Sequence, residues 1–185
     1  MLGSVSRLRI LSKMVQRLAV LTCLLLVGIG HAEDDCCGKK GTINPDPWKI
    51  VKEYEGYVVE KSTFKDVRDC YKVSPTYSKT PGYSWIKERF KFNGQWLSFQ
   101  LFLRTNGKEI EIFPDTFNSP FKTTRTVLYG DNNKKCHIDK LHGGDVEMWK
   151  KPGATEEDLK CCNQMFEKYK PKGKYVIYPQ KKNCQ

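Results

Sequence analysis

Seven cysteines, Cys36, Cys37, Cys70, Cys136, Cys161, Cys162 and Cys184, are the residues whose chemistry is most readily read from the chain. An eighth, Cys23, lies in an N-terminal apolar stretch. In an oxidising compartment an odd set of seven reads as three disulfides plus one thiol that is free, capped or intermolecular. Zinc is the competing chemistry, but no Cys-x-x-Cys pair occurs, and His137 and His142 have no Cys or His partner at ligand spacing. No metal is expected. A catalytic Cys working with His137 is possible on paper, yet structural bridges account for the cysteines. No Ser-His-Asp set, paired carboxylates or phosphate-binding glycine loop stands out. Neither an enzyme nor a cofactor is expected.

Disulfides imply export, and the N-terminus agrees. Leu18 to Ile29 is a twelve-residue apolar run preceded by Arg17 and followed by Gly30-His31-Ala32, with small residues at the −3 and −1 positions of a signal peptidase site. The run is too short to span a bilayer. Residues 1–32 are therefore expected to be a signal peptide, starting at Met1 or Met14, and residues 33–185 the mature domain. Cleavage would remove Arg7, Arg9, Lys13 and Arg17 and no acid, taking the formal net charge from +11 to +7. A basic secreted protein of this kind could meet nucleic acid, heparin or anionic membrane. The lysines, however, are spread through turns and tail (Lys39, Lys134, Lys172, Lys181). Neither nucleic acid nor membrane is expected as a partner. At 185 residues, 29% charged and 39% hydrophobic, the chain holds one modest domain.

The elements that must position these groups are mostly strands. Asp46 can cap a short helix that has Pro47 at its first position. Strands are expected at Gly56 to Ser62 and Cys70 to Ser74. Tyr83 to Phe92, Asn93-Gly94 and Trp96 to Arg104 form the clearest hairpin, because Asn-Gly supplies the positive φ angles of a type I′ turn. Asn106-Gly107 is read as a second such turn, leading into Lys108 to Phe113. Thr124 to Tyr129, Lys135 to Leu141 and Asp145 to Lys150 complete about eight antiparallel strands. The period then changes. Thr155-Glu156-Glu157-Asp158 is a capping signature, and Leu159, Cys162, Phe166 and Tyr169 recur at helical spacing, so a helix is expected over about 156–169. Residues 170–185 form an extended basic tail.

Eight meandering strands and one late helix suit a mainly β fold, an up-and-down antiparallel barrel whose closure leaves no exposed edges and room for a small ligand. A two-sheet immunoglobulin-like domain is the runner-up, disfavoured by the late helix. Trp48, Trp85, Trp96, Trp149, Phe90 and Phe99 are candidates for the walls or floor of an interior site, or for plain core.

Several segments together resemble the salivary lipocalins of ticks, the histamine-binding-protein family, and within it the soft-tick moubatin-like group. The family-wide signal is Cys136-His137-Ile138-Asp139-Lys140, then Glu147-Met148-Trp149, then Cys161. Arg68-Asp69-Cys70, the doubled Cys161-Cys162 and the ending from Tyr178-Pro179 to Cys184 match the narrower group. The resemblance covers nearly all of residues 33–185 and implies an eight-stranded lipocalin barrel with three bridges: Cys37 with Cys161, Cys70 with Cys184 and Cys136 with Cys162. Cys36 is then the extra thiol, or exchanges roles with Cys37.

The resemblance also implies a secreted salivary protein that sequesters a host mediator and so counters host inflammation and haemostasis. Two ligand sets follow. Asp46, Asp139, Glu147 and Trp149, with Trp48 beside Asp46, are similar to groups that receive histamine or serotonin. A buried carboxylate and an alkylammonium offset each other's desolvation, and an indole or imidazole can stack on Trp149. Arg68, Arg125, His137 and Asp139, with Trp149, look like groups that hold the carboxylate and hydroxyls of leukotrienes or fatty acids, a task suited to the guanidinium fork. The family's common motif has Asp directly after the Cys, where this chain has His137. The implied function is capture of a biogenic amine; the alternative is an eicosanoid (leukotriene, thromboxane or fatty acid) and/or inhibition of complement C5.

Overall fold

The computed structural model describes residues 37, 39–52, 56–65, 68–77, 80–114, 121–178 and 184. The expected signal peptide, both candidate initiators and Cys36 lie outside them. Residues 1–39 and 40–185 are separate units, and the fold is that of the second. Its elements are β1 (Gly41–Ile43), α1 (Pro47–Val51), β2 (Tyr57–Ser62), β3 (Asp69–Tyr77), β4 (Tyr83–Phe92), β5 (Gln95–Asn106), β6 (Glu109–Phe113), β7 (Thr123–Asp131), β8 (Cys136–Leu141), β9 (Val146–Lys150) and α2 (Glu156–Tyr169).

Strands β2 to β9 pair antiparallel in chain order, and β9 returns to β2, so eight strands close into a barrel. The short β1 is a ninth strand. It pairs with Tyr129 to Asp131 of β7, while β6 pairs with Thr123 to Thr126. Sequence reading missed β1 because three residues carry no usable alternation.

Turn chemistry sets the register of the longest hairpin. Asn93 and Gly94 both have positive φ, 50° and 77°, as a type I′ turn requires. The next turn differs from expectation. Asn106 pairs with Glu109 in the ladder, and Gly107 (φ 59°) opens a Gly107-Lys108 turn instead. Glycine at the first turn position is what a type II′ turn needs.

Alternation divides the strands into two layers. Val59, Tyr71, Val73, Ile86, Phe90, Leu103, Ile110, Ile112, Val127 and Trp149 pack inside the barrel. The opposite faces of β8 and β9 meet α2, which packs across β7, β8 and β9 and buries Leu159, Cys161, Cys162, Met165 and Phe166. Its N-terminus carries a capping box: the Asp158 N–H donates to Thr155 Oγ1 at 3.2 Å and the Thr155 N–H to Asp158 Oδ2 at 2.9 Å. Helix α1 lies against β7 at Gly130, where an added Cβ would come 2.8 Å from Ile50 Cδ1.

Among the described residues two disulfides fasten this arrangement. Cys136–Cys162 joins β8 to α2, and Cys70–Cys184 ties the tail to β3. With sequence separations of 26 and 114, the chain-entropy model assigns them roughly 3.5 and 5 kcal/mol. The tail also pairs through Ser62 and Ile177. Cys161 is buried beside Cys162. Its bridge to Cys37, a residue of the first unit, remains a proposal, checked by peptide mapping of the non-reduced protein.

Candidate functional site

One end of the barrel opens into a cavity of about 1240 Å³. Phe64, Leu101, Ile112, Phe121 and Leu141 give it apolar walls, and Tyr71, Glu88, Arg125 and Glu147 give it polar groups at depth. Below lies a void of about 10 Å³ among Val73, Ile86, Leu103, Ile110 and Trp149, again bordered by Glu88, Ile112 and Arg125. It is close to the space one water needs.

Strand register brings the polar groups together. Arg125 Nη1 donates to Glu147 Oε2 at 2.7 Å, and Nη2 to Tyr71 Oη at 3.3 Å. Tyr71 in turn donates to Glu88 Oε1 at 2.5 Å. Four side chains from β3, β4, β7 and β9 thus form one network across the interior. Asp139 stands opposite Glu147 in the β8–β9 ladder, and His137 opposite Trp149. The His137 ring stacks on Trp149 with centroids 6.0 Å apart and planes 4° from parallel, and Tyr57 meets His137 edge-on at 4.9 Å. His137 Nε2 is 3.6 Å from Asp139 Oδ2.

Burial sets the electrostatics. It raises the Glu147 pKa above the ordinary carboxylate range; Arg125 pulls the other way and Asp139 adds to the rise. Burial also lifts the Tyr71 phenol well above its usual value, with Arg125 opposing and Glu88 and Glu147 reinforcing. For Arg125 burial works against the charge, but Glu147, Tyr71, Asp139 and Glu88 outweigh it and hold the guanidinium firmly protonated. Counting charges by type, three buried carboxylates (Glu88, Asp139, Glu147) share the interior with one guanidinium.

The mouth is mixed. Arg68 is exposed and lies 4.0 Å over the Phe90 ring, and Asp69, Lys91, Lys122 and Asp145 also border the opening. Lys122 is held by Glu111 at 2.6 Å, and Asp145 accepts from Thr63 at 2.8 Å.

Of the residues singled out in the sequence, Arg125, His137, Asp139, Glu147 and Trp149 converge in the interior, and Arg68 reaches the mouth. Asp46 does not join them. It is exposed, and its side chain accepts from the Trp48 N–H at 3.0 Å as the cap of α1. Trp48 packs against the core from α1. Trp85 and Trp96 face away from the interior, in register with Phe102 and Lys91. Tyr71 and Glu88 were missed, although Glu88 sits at an inward position of the alternation Ser84, Ile86, Glu88, Phe90.

No protein-family model matches the chain. Moubatin of Ornithodoros moubata is 27% identical over 172 residues, covering 90% of this chain and 96% of that protein. The chain is thus similar to moubatin along nearly the whole length of both proteins. Among solved structures, the crystal structure of the AM182 serotonin complex matches with a TM-score of 0.61, covering 75% of this chain and 92% of the other at 22% identity. That likeness shows a shared fold, the closed eight-stranded antiparallel barrel described above. Among the described residues no cluster of three or more His, Cys, Asp or Glu is placed to hold a metal, and no helix is long and apolar enough to cross a membrane.

Proposed function

We propose that the chain is a secreted salivary lipocalin that sequesters a host biogenic amine, serotonin or histamine, in its barrel, countering host inflammation and haemostasis by binding without turnover. The carrying observation is the charge of the interior: Glu88, Asp139 and Glu147 outnumber Arg125. An ammonium entering from the cavity offsets that excess, and its own desolvation is offset in return. The aromatic half of an amine finds Tyr71 and, deeper, Trp149, whose rings meet edge-on 5.2 Å apart. A serotonin complex in a barrel of the same fold supports a guest of this size and charge. Capture needs only a dissociation constant below the mediator's working level.

A second reading, capture of a leukotriene, thromboxane or fatty acid, is favoured by volume. A cavity of about 1240 Å³ exceeds the roughly 300–1,000 Å³ common for drug-sized ligands, and Arg68 and Lys91 at the mouth suit a carboxylate.

Calorimetric titration with serotonin, histamine and leukotrienes B4 and C4 tests both. Amine binding is the expected result. Heat from leukotrienes alone overturns the amine reading and leaves sequestration standing; heat from none of them overturns sequestration. Inhibition of complement C5 would act through the outer surface, and a small-molecule scavenger leaves complement-driven haemolysis unchanged.

A further inference from the structure

The outer wall of the barrel carries a cluster of cations of which only Lys91 also borders the cavity mouth. Lys72, Arg89 and Lys91 stand around one indole, their cationic centres 5.6, 4.1 and 5.3 Å from the Trp96 ring centroid. Lys72 lies opposite Arg89 in the β3–β4 ladder. Lys87, Arg89 and Lys91 alternate along the outward face of β4, where positions two apart are separated by about 6.8 Å. Among the described residues Lys72, Lys87 and Arg89 contact no carboxylate. Cations elsewhere do: Lys150 meets Glu60, Arg104 and Lys122 meet Glu111, Lys170 meets Glu167, and Lys174 meets Asp145. The indole attracts each cation through its ring quadrupole but neutralises none. The result is a group of three cations, Lys72, Lys87 and Arg89, beside one indole on the outer face of the sheet.

We propose that this face, Lys72, Lys87, Arg89 and Lys91 around Trp96, binds a linear sulfated polysaccharide. Charge complementarity selects a polyanion, and a row of cations along one strand suits a linear one. The surroundings select against a lipid surface: Ser98 and Gln100, opposite Arg89 and Lys87 on β5, are exposed and polar, and Trp96 is occupied by its cations. Phe92 and Phe121, the most exposed phenylalanines among the described residues, stand at the cavity mouth instead. Stacking of nucleic acid bases would need a bare aromatic platform, which Trp96 does not offer. Binding by release of condensed counterions follows the same salt law as for other polyelectrolytes.

A heparin dodecasaccharide is the probe, titrated against the full secreted protein at about 0.15 M ionic strength. The test variant is Lys72→Ser/Lys87→Ser/Arg89→Gln. The control, Lys140→Ser/Lys160→Ser/Lys168→Ser, loses the same charge elsewhere. The test variant is expected to weaken binding roughly tenfold or more and to flatten the log-affinity against log-salt slope by about 2 to 3, while the control stays near the parent. Circular dichroism and small-ligand titration confirm that both remain folded. Absence of heparin binding, equal losses in test and control, undiminished binding by fully desulfated heparin, or stronger binding to phosphatidylserine vesicles or single-stranded DNA each overturn the proposal.

Discussion

At the residue scale, Glu147 is where the two ligand readings separate. Glu147→Gln keeps the shape and removes the charge that Arg125 Nη1 meets at 2.7 Å. If an ammonium is the guest, affinity falls at least about tenfold, roughly 1.4 kcal/mol, the low end for a lost hydrogen bond to a charged group. A carboxylate ligand gains, because Arg125 is released to it. Titration of parent and variant with serotonin and leukotriene B4 reads the difference directly.

The same residue makes a pH prediction. Burial holds the Glu147 pKa above that of an ordinary carboxylate, so between those two values the folded protein carries a proton that the unfolded chain has lost. Stability contributed by that proton is present at low pH and declines as pH rises through the window. An ammonium beside Glu147 favours the ionised form and lowers its pKa, so amine binding releases protons and weakens as pH falls through the raised value. Calorimetry in buffers of different ionisation enthalpy measures this; proton uptake on amine binding would contradict it. Sequence reading reached Arg125, His137, Asp139, Glu147 and Trp149 by resemblance. It could not separate Asp46 from them, because an aspartate before Pro-Trp is equally a helix cap, and only the fold shows that Asp46 spends its carboxylate on the Trp48 N–H. Tyr71 and Glu88 were legible only as an anomaly, a carboxylate on the apolar side of an alternating strand. What that anomaly meant depended on Arg125, 54 residues after Tyr71.

At the scale of elements, legibility followed the strength of local rules. The helix at Glu156–Tyr169 matched its expected span because a capping box and a 3.6-residue period act within the segment itself. The Asn93-Gly94 hairpin was equally local. Misses arose where a distant partner decides: β1 exists only as the neighbour of Tyr129 to Asp131, and the second turn shifted by one residue so that Asn106 could pair with Glu109. Helix α2 also offers a clean stability test. Thr155→Ala removes the acceptor for the Asp158 N–H and should cost about 1 kcal/mol. Denaturant unfolding should show a lower midpoint with an unchanged slope, since the cap is exposed and buries no area. Gly130→Val should cost more, because even a Cβ there meets the Ile50 side chain that seats α1. An unfolding midpoint equal to the parent's would mean that α1 does not seal the barrel at that point.

For the molecule as a whole, the exterior and the interior carry opposite signs. The chain is basic, with 32 Lys and Arg against 21 Asp and Glu, while the buried interior groups Glu88, Asp139 and Glu147 with Arg125 alone as guanidinium. Long-range fields act on the encounter and short-range pairing acts on the complex, so the two charges should appear in different rate constants. A cationic amine approaches against a repulsive field, and salt screens it. Raising ionic strength from about 0.01 to 0.15 M, which shortens the screening length from roughly 30 to 8 Å, should leave the dissociation rate nearly constant and raise the association rate. An anionic eicosanoid would show the reverse, a fast approach that salt slows. Stopped-flow quenching of tryptophan fluorescence, for which Trp149 stands next to Tyr71 and Arg125, measures both rates. An association rate for serotonin that falls with added salt would mean that the field at the mouth is negative, and that the cations of the outer wall do not govern what reaches the cavity.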